Sequence, residues 1–308
     1  MTSAHSKSGP AGDAPLWHAI LLCAGGVALF SVMDGVMKQA SLAVSAYSAI
    51  FWRGAAATPL AGIAMVATGN RWPPADVMRL HLVRGVILGL MAWLFFWALT
   101  RLPLAEAIAL SFIAPIIALV LSAVMLGEQV SRYSIAAGLA GIIGVGVILS
   151  GRMAGDYDGR AFAGALGVLA SAVLFAVNLV LQRRQAQVAS AVEVTFFQNA
   201  IVLCVLLPFA PWLLKGNGGM DFWAAIIASA FLACGSQLLL ASAYARAPAS
   251  RLIPIEYSAF VWAVLVGWIM FAERLTTEVV AGVVLIVVAC FVAAREKPEI
   301  AHVETEVV

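Results

Sequence analysis

Ten almost unbroken apolar stretches, separated by short polar turns, run along the chain. They fall at about 16–38, 46–67, 79–100, 104–126 and 134–150, then at about 162–183, 192–214, 222–244, 249–271 and 276–294. Most reach the ~20 residues that cross a bilayer as a helix. The breaks carry turn chemistry, as in Gly69-Asn70-Arg71-Trp72-Pro73-Pro74, Arg101-Leu102-Pro103 and Lys215-Gly216-Asn217-Gly218-Gly219. The pattern predicts an all-α integral membrane protein with ten transmembrane helices.

The ten runs divide into two fives related by a constant offset of 145 residues. Leu29-Phe30-Ser31-Val32 returns as Leu174-Phe175-Ala176-Val177, and Phe51-Trp52-Arg53 as Phe196-Phe197-Gln198. Ala98 to Pro103 returns as Ala243 to Pro248, and Met125-Leu126-Gly127-Glu128 as Met270-Phe271-Ala272-Glu273. A duplication in so apolar a chain points to a transporter built from two repeats. An odd number of spans per repeat makes the second copy enter the membrane from the opposite side, so the repeats are inverted, with a substrate site expected near the midplane at their interface. The predicted organisation is a disordered cytoplasmic tail (1–15), a first repeat (16–150), a linker (151–160), a second repeat (161–294) and a second cytoplasmic tail (295–308).

Composition sharpens this picture. Apolar residues make up 63% of the chain and charged ones 11%, and mean hydropathy is +0.99. Soluble domains are closer to half apolar and a quarter charged. The net charge of +2 comes without a dense basic tract, so nucleic acid is not an expected partner. Lys and Arg number eleven on the N-terminal side of the predicted spans and six on the other, with Arg53 inside a span and left out. The positive-inside rule then puts both termini in the cytoplasm of a bacterial inner membrane. Cys23, Cys204, Cys234 and Cys290 are scattered in apolar runs, and neither a disulfide nor a zinc site is expected.

Certain local motifs resemble the drug/metabolite transporter superfamily, specifically its EamA type with two five-helix repeats. They are Pro103 with Ala114-Pro115-Ile116-Ile117-Ala118 and the closing Leu126-Gly127-Glu128, and in the second copy Pro248, Pro254-Ile255-Glu256-Tyr257 and Phe271-Ala272-Glu273. The resemblance covers about residues 16–294. It departs where Ala272 replaces the glycine of the first copy and where Phe260 stands opposite Pro115. It implies a secondary transporter of small metabolites, the family including amino acid exporters, drug exporters and uptake systems for vitamins and nucleoside-like metabolites.

Polar residues inside the runs are the candidates for a substrate path. Asp34 and Lys38, four apart, share a helix face. Either both line the path, or Lys38 snorkels to the interface with Asp34 as its partner. Asn178 and Gln182 share a face of the sixth helix and offer amides either to a zwitterionic substrate or to a neighbouring helix. Glu256, beside Tyr257 and two residues after Pro254, has Ser111 as its repeat mate. A carboxylate beside a proline break can bind an amine or carry a proton. Trp93, Trp262, Gln237 and Tyr244 complete the candidate lining, whereas Trp97 reads as an interface anchor. Arg53 reads as structural, fixing the second helix through an acid across the bundle. Glu128 and Glu273 read as clips on the next helix, and Ala136, Ala140 and Gly144 as a ridge for internal packing.

His18 and His81 sit near predicted helix ends and read as interface residues. The chain holds no Walker loop, no His-Glu-x-x-His and no Gly-x-Ser-x-Gly, so it is read as a non-enzyme without cofactor. The expectation is an alternating-access exporter of amino acids, aromatic or apolar ones favoured, as a monomer or weak homodimer, with a proton as the candidate coupling ion. Uptake or exchange of a nucleoside-like or vitamin metabolite is the alternative. A membrane-embedded lipid-modifying enzyme is the alternative from another class.

Overall fold

Every apolar run is helical in the computed structural model, which describes residues 16–294 apart from 71, 127–131, 154–158, 186, 217, 245, 247–251 and 253–254. The two tails, the middle of the linker, Glu128 and Pro254 therefore lie outside the described residues. The helices are α1 (Leu16–Ala43), α2 (Ala46–Ala67), α3 (Ala75–Leu99), α4 (Leu104–Ser111), α5 (Ala114–Leu126) and α6 (Arg132–Met153) in the first half. The second half contributes α7 (Gly159–Gln185), α8 (Ala191–Leu206), the single turn α9 (Ala210–Leu213), α10 (Met220–Tyr244), α11 (Ala259–Phe271) and α12 (Thr277–Ala294). Among the described residues six helical stretches are long and apolar enough to cross a membrane, and four shorter apolar helices fill the remaining predicted positions.

The repeat is now visible in the backbone. Shifting α3 by 145 residues gives the bounds of α10, and shifting α5 gives those of α11. Ser45 caps α2 by accepting from the Ser48 amide, and Ser190, its mate, caps α8 by accepting from the Glu193 amide. Such a cap satisfies a donor that the first helical turn leaves free.

The fourth predicted span is not one helix. Pro115 has no amide hydrogen, and its ring collides with the carbonyl four residues back, that of Ser111. The chain tightens at Phe112 and Ile113, whose amides donate to Ala109 O at 3.2 Å and Leu110 O at 3.4 Å, before α5 begins. The ninth span breaks at the repeat-equivalent place: Tyr257 and Ser258 form a turn, and Ser258 donates to Ile255 O at 2.9 Å. The two breaks meet. Phe112 and Tyr257, repeat mates of each other, lie edge to face with ring centroids 5.2 Å apart. A contact between mates marks where the pseudo-twofold axis passes.

Helices pack across the repeats more than within them. The seams are α1 on α10, α3 on α7, α2 on α8 and α6 on α12. The main core runs through Met33, Met37, Ile50, Leu99, Leu104 and Leu110. Large apolar residues such as Ile63, Val66, Trp212 and Ile269 point outward, as a lipid-facing surface requires. Gly144 belongs inside: a Cβ there would meet Gly282 O at 2.8 Å, so the predicted small-residue ridge is used where α6 meets α12.

Candidate substrate path

At one end of the bundle the two repeats are tied together by one lysine. Lys38 is five residues from the end of α1, within reach of the loop before α4. Its ammonium donates to Leu102 O at 2.7 Å and pairs with the Glu273 carboxylate. The second Glu273 oxygen accepts from the Leu104 amide at 2.7 Å, capping α4. Glu106, 1% exposed, adds a further negative charge within range of Lys38. Lys38 therefore does not use Asp34 as its partner, and Glu273 clips a helix of the other repeat rather than the one that follows it. The reach explains both: Ala272 adopts a left-handed backbone (φ 52°) that ends α11 and turns Glu273 back over the bundle. Beside this closure Arg101 lies over the Trp97 ring at 3.6 Å, and burial, then the charge of Arg160, hold its guanidinium below its usual pKa. Trp97 thus packs under a cation and against Gly167.

One turn below Lys38, Asp34 is 2% exposed and accepts no hydrogen bond from any described residue. The charge whose field reaches it is Arg53 on α2. Arg53 lies 5.7 Å from the centroid of Phe96 and, among the described residues, donates only to the Met33 thioether at 3.6 Å. Trp93, partly buried on α3, packs against the same core.

At the other end of the bundle a polar network joins α3 to α7 and α8. Arg84 Nε donates to Asn178 Oδ1 at 2.8 Å, Nη1 to Gln185 Oε1, and Nη2 to Gln182 Oε1 at 3.4 Å. Gln185 bonds His81 Nδ1 at 2.6 Å, and His81 Nε2 bonds Glu193 Oε1 at 2.9 Å. His81 stacks on Phe197. His81 was expected near a helix end, and Arg84 is one of the eleven basic residues counted on the N-terminal side of the predicted spans. Instead α3 starts at Ala75, earlier than the predicted 79, so both enter the bundle and are 5% and 2% exposed. Asn178 and Gln182 both engage Arg84. The signal for this network was present: Asn178, Gln182 and Gln185 fall at helical spacing opposite an arginine inside a span.

The remaining candidates spread over two regions. Ser111, next to the axis, donates to Ala107 O at 2.8 Å, and without an amide on Pro115 the Ser111 carbonyl lacks its helical donor. Tyr257 faces Phe112 on the axis. Glu256 is exposed, and its charge reaches Cys23 on α1. Trp262 packs beside Cys23, Leu240 and Leu252 in a second, smaller cluster. Gln237 is exposed on α10, and the side chain of Tyr244 lies outside the described residues. Trp93 and Tyr257 thus pack against the main core, and Trp262 against the smaller cluster.

The comparisons with known proteins agree with this architecture. A solved crystal structure, 22% identical, covers 89% of this chain and 95% of its own with a TM-score of 0.61, so the fold is shared. The pseudopaline exporter of Pseudomonas aeruginosa strain UCBPP-PA14 is 29% identical over 87% of this chain and 93% of its own. A riboflavin transporter of Brucella anthropi is 24% identical over 80% and 87%, and one of Vibrio cholerae is 28% identical over 62% and 63%. The EamA-like transporter family matches residues 17–150 and again 162–295, once for each repeat. With two such repeats, ten predicted spans and mates that touch on a common axis, the chain is a multi-pass membrane transporter and belongs to the EamA-like transporter family.

Proposed function

We propose that the protein is a secondary transporter of the bacterial inner membrane that exports amino acids, aromatic or apolar ones favoured, by alternating access, with both termini in the cytoplasm. The observation that carries alternating access is the single-lysine closure, in which Lys38 of the first repeat holds Leu102 O and Glu273 of the second. A bond between repeats at one end of the bundle is what a rocking motion must break to open that end. The polar and aromatic residues beside it, Asp34, Arg53, Phe96 and Trp93, suit a ligand with a charged head and an apolar body. Export is supported by the pseudopaline exporter, which aligns with most of this chain. The riboflavin transporters favour a second reading, movement of a vitamin-like metabolite.

Loaded inside-out vesicles and whole cells test the reading. Cells making the protein should release phenylalanine and tryptophan faster than cells without it, and Glu273→Gln should change that rate while leaving folded protein in the membrane. The variant keeps an acceptor for the Leu104 amide but loses the charge that binds Lys38. A cysteine at Ser45 should then react with an impermeant thiol reagent about tenfold faster, the equivalent of ~1.4 kcal/mol. Release of riboflavin but no amino acid selects the second reading, and unchanged labelling removes Lys38–Glu273 as the outer closure.

A further inference from the structure

Asp34 and Arg53 are two opposite charges inside the bundle that do not meet. The ion pairs among the described residues are Lys38–Glu273, Arg79–Asp76 and His81–Glu193; Asp34 and Arg53 form none. Yet each lies in the field of the other. Asp34 lies nine residues from the outer end of α1 and Arg53 seven from that of α2. At 1.5 Å per residue this puts them roughly 14 and 11 Å deep, beneath the Lys38–Glu273 closure.

Their hydrogen-bonding is incomplete on both sides. A guanidinium carries five N–H donors and a carboxylate about four acceptor positions. Arg53 spends one donor on a thioether, a weak acceptor, and Asp34 accepts nothing from the described residues. Polar groups left this way inside a membrane protein are costly, and breaking up a buried charge pair is costlier still. Arg53 is only partly buried, while Asp34 keeps 2% of its surface exposed. An acceptor and a donor, separated and unspent, are the two halves of a receptor for a dipolar ligand.

We infer that Asp34 and Arg53 together hold the zwitterionic head of the substrate, Asp34 taking the ammonium and Arg53 the carboxylate. Arg53 is thereby assigned a binding role in addition to bracing α2. The planar fork of an arginine fits a carboxylate with two parallel hydrogen bonds, which a lysine does not reproduce. Phe96, under the guanidinium, and Trp93 leave the apolar body of the ligand an aromatic wall. The repeat mates make the arrangement one-sided: Leu179 stands for Asp34 and Gln198 for Arg53, so the second repeat offers no equivalent charges. A single head-group site fits a transporter that carries one dipolar molecule per cycle.

The inference rests on the amino-acid reading for its choice of probe, and binding is measured apart from transport. Purified full-length protein in nanodiscs is titrated with phenylalanine, phenethylamine (no carboxylate) and 3-phenylpropionate (no amine), reading ligand-induced thermal stabilisation. The wild type should bind phenylalanine about tenfold or more tightly than either singly charged analogue. Arg53→Gln should weaken phenylalanine about tenfold and leave phenethylamine unchanged; Asp34→Asn should weaken phenylalanine and leave 3-phenylpropionate unchanged. Arg53→Lys should recover only part of the loss. If Arg53→Gln does not fold, the neutral double variant Asp34→Asn/Arg53→Gln replaces it, and should bind N-acetylphenylalanine amide as well as phenylalanine. Variants that shift all three ligands alike, or none of them, overturn the inference, as does a wild type that binds no phenylalanine. Preserved discrimination without efflux overturns export and leaves the paired site standing.

Discussion

The α3–α7 and α1–α10 seams are the same packing drawn twice and filled differently. Each helix of one is the repeat mate of a helix of the other. At α3–α7 the contact holds Arg84, His81, Asn178, Gln182 and Gln185. At α1–α10 the same positions are Ser229, Ile226, Met33, Met37 and Ala40. These five are at most 3% exposed, and Ser229 spends its hydroxyl on Ile226 O of its own helix. The duplication fixes how the helices lie, not what holds them. One seam is joined at these positions by a network of directional bonds around Arg84; the other is joined there by dispersion contacts, with one cross-seam bond elsewhere, from Ser236 on α10 to Gly26 O on α1 at 2.8 Å. A molecule with two such seams is hinged unequally, stiffer where the arginine is.

Breaking the polar seam should cost most. Arg84→Ala leaves three amide oxygens without their donor, and the loss should be about 3–5 kcal/mol, read as thermal unfolding in detergent. Ser229→Ala, at the mate, should cost less than about 1 kcal/mol, because its one bond is local. Equal losses at both positions would mean that the network is decorative. The apolar seam has its own weak point in Met37, which is fully buried. Met37→Ala should cost about 2–4 kcal/mol through the cavity it leaves, and Met37→Leu less than about 1.5 kcal/mol. A large loss in Met37→Leu would show that this seam also demands one exact shape. The smallest effects should be the helix caps. Ser45→Ala and Ser190→Ala each remove one cap bond, ~1 kcal/mol apiece, and should match each other, since here the repeats kept the same chemistry. A difference above about 1 kcal/mol would show that even the caps have diverged.

These contrasts follow what the residues alone disclosed. The ten spans, the offset of 145 and the family were legible, because apolar length and internal similarity are properties of the chain itself. The break at Pro115 was legible in principle, a proline inside a span, yet the run is apolar throughout and reads as one helix; its turn depends on a carbonyl clash one turn back. Partner choice was not legible. Lys38 has Asp34 four residues away, but its bonds go to Glu273, 235 residues distant, because α11 ends in a left-handed turn that no periodicity encodes. Arg84 was counted with the charges on the N-terminal side although it lies inside its own predicted run, 79–100. That Asp34 and Arg53 form no ion pair with each other was hidden for the same reason: sequence lists charges and does not say which of them touch.

Phe112 and Tyr257 carry a consequence of their own. An edge-to-face pair is unsymmetrical, one ring presenting its rim and the other its face, here at 89°. The axis that relates the repeats runs between them, so exchanging the roles of the repeats exchanges the roles of the rings. A transporter that alternates by swapping the shapes of its halves cannot keep this pair as it stands and cannot separate it, since the axis is the one line that does not move. In such a transporter the two rings would turn about each other, rim for face, once in every half-cycle. The tyrosine has a hydroxyl at its rim and the phenylalanine does not, so the two orientations would differ in chemistry.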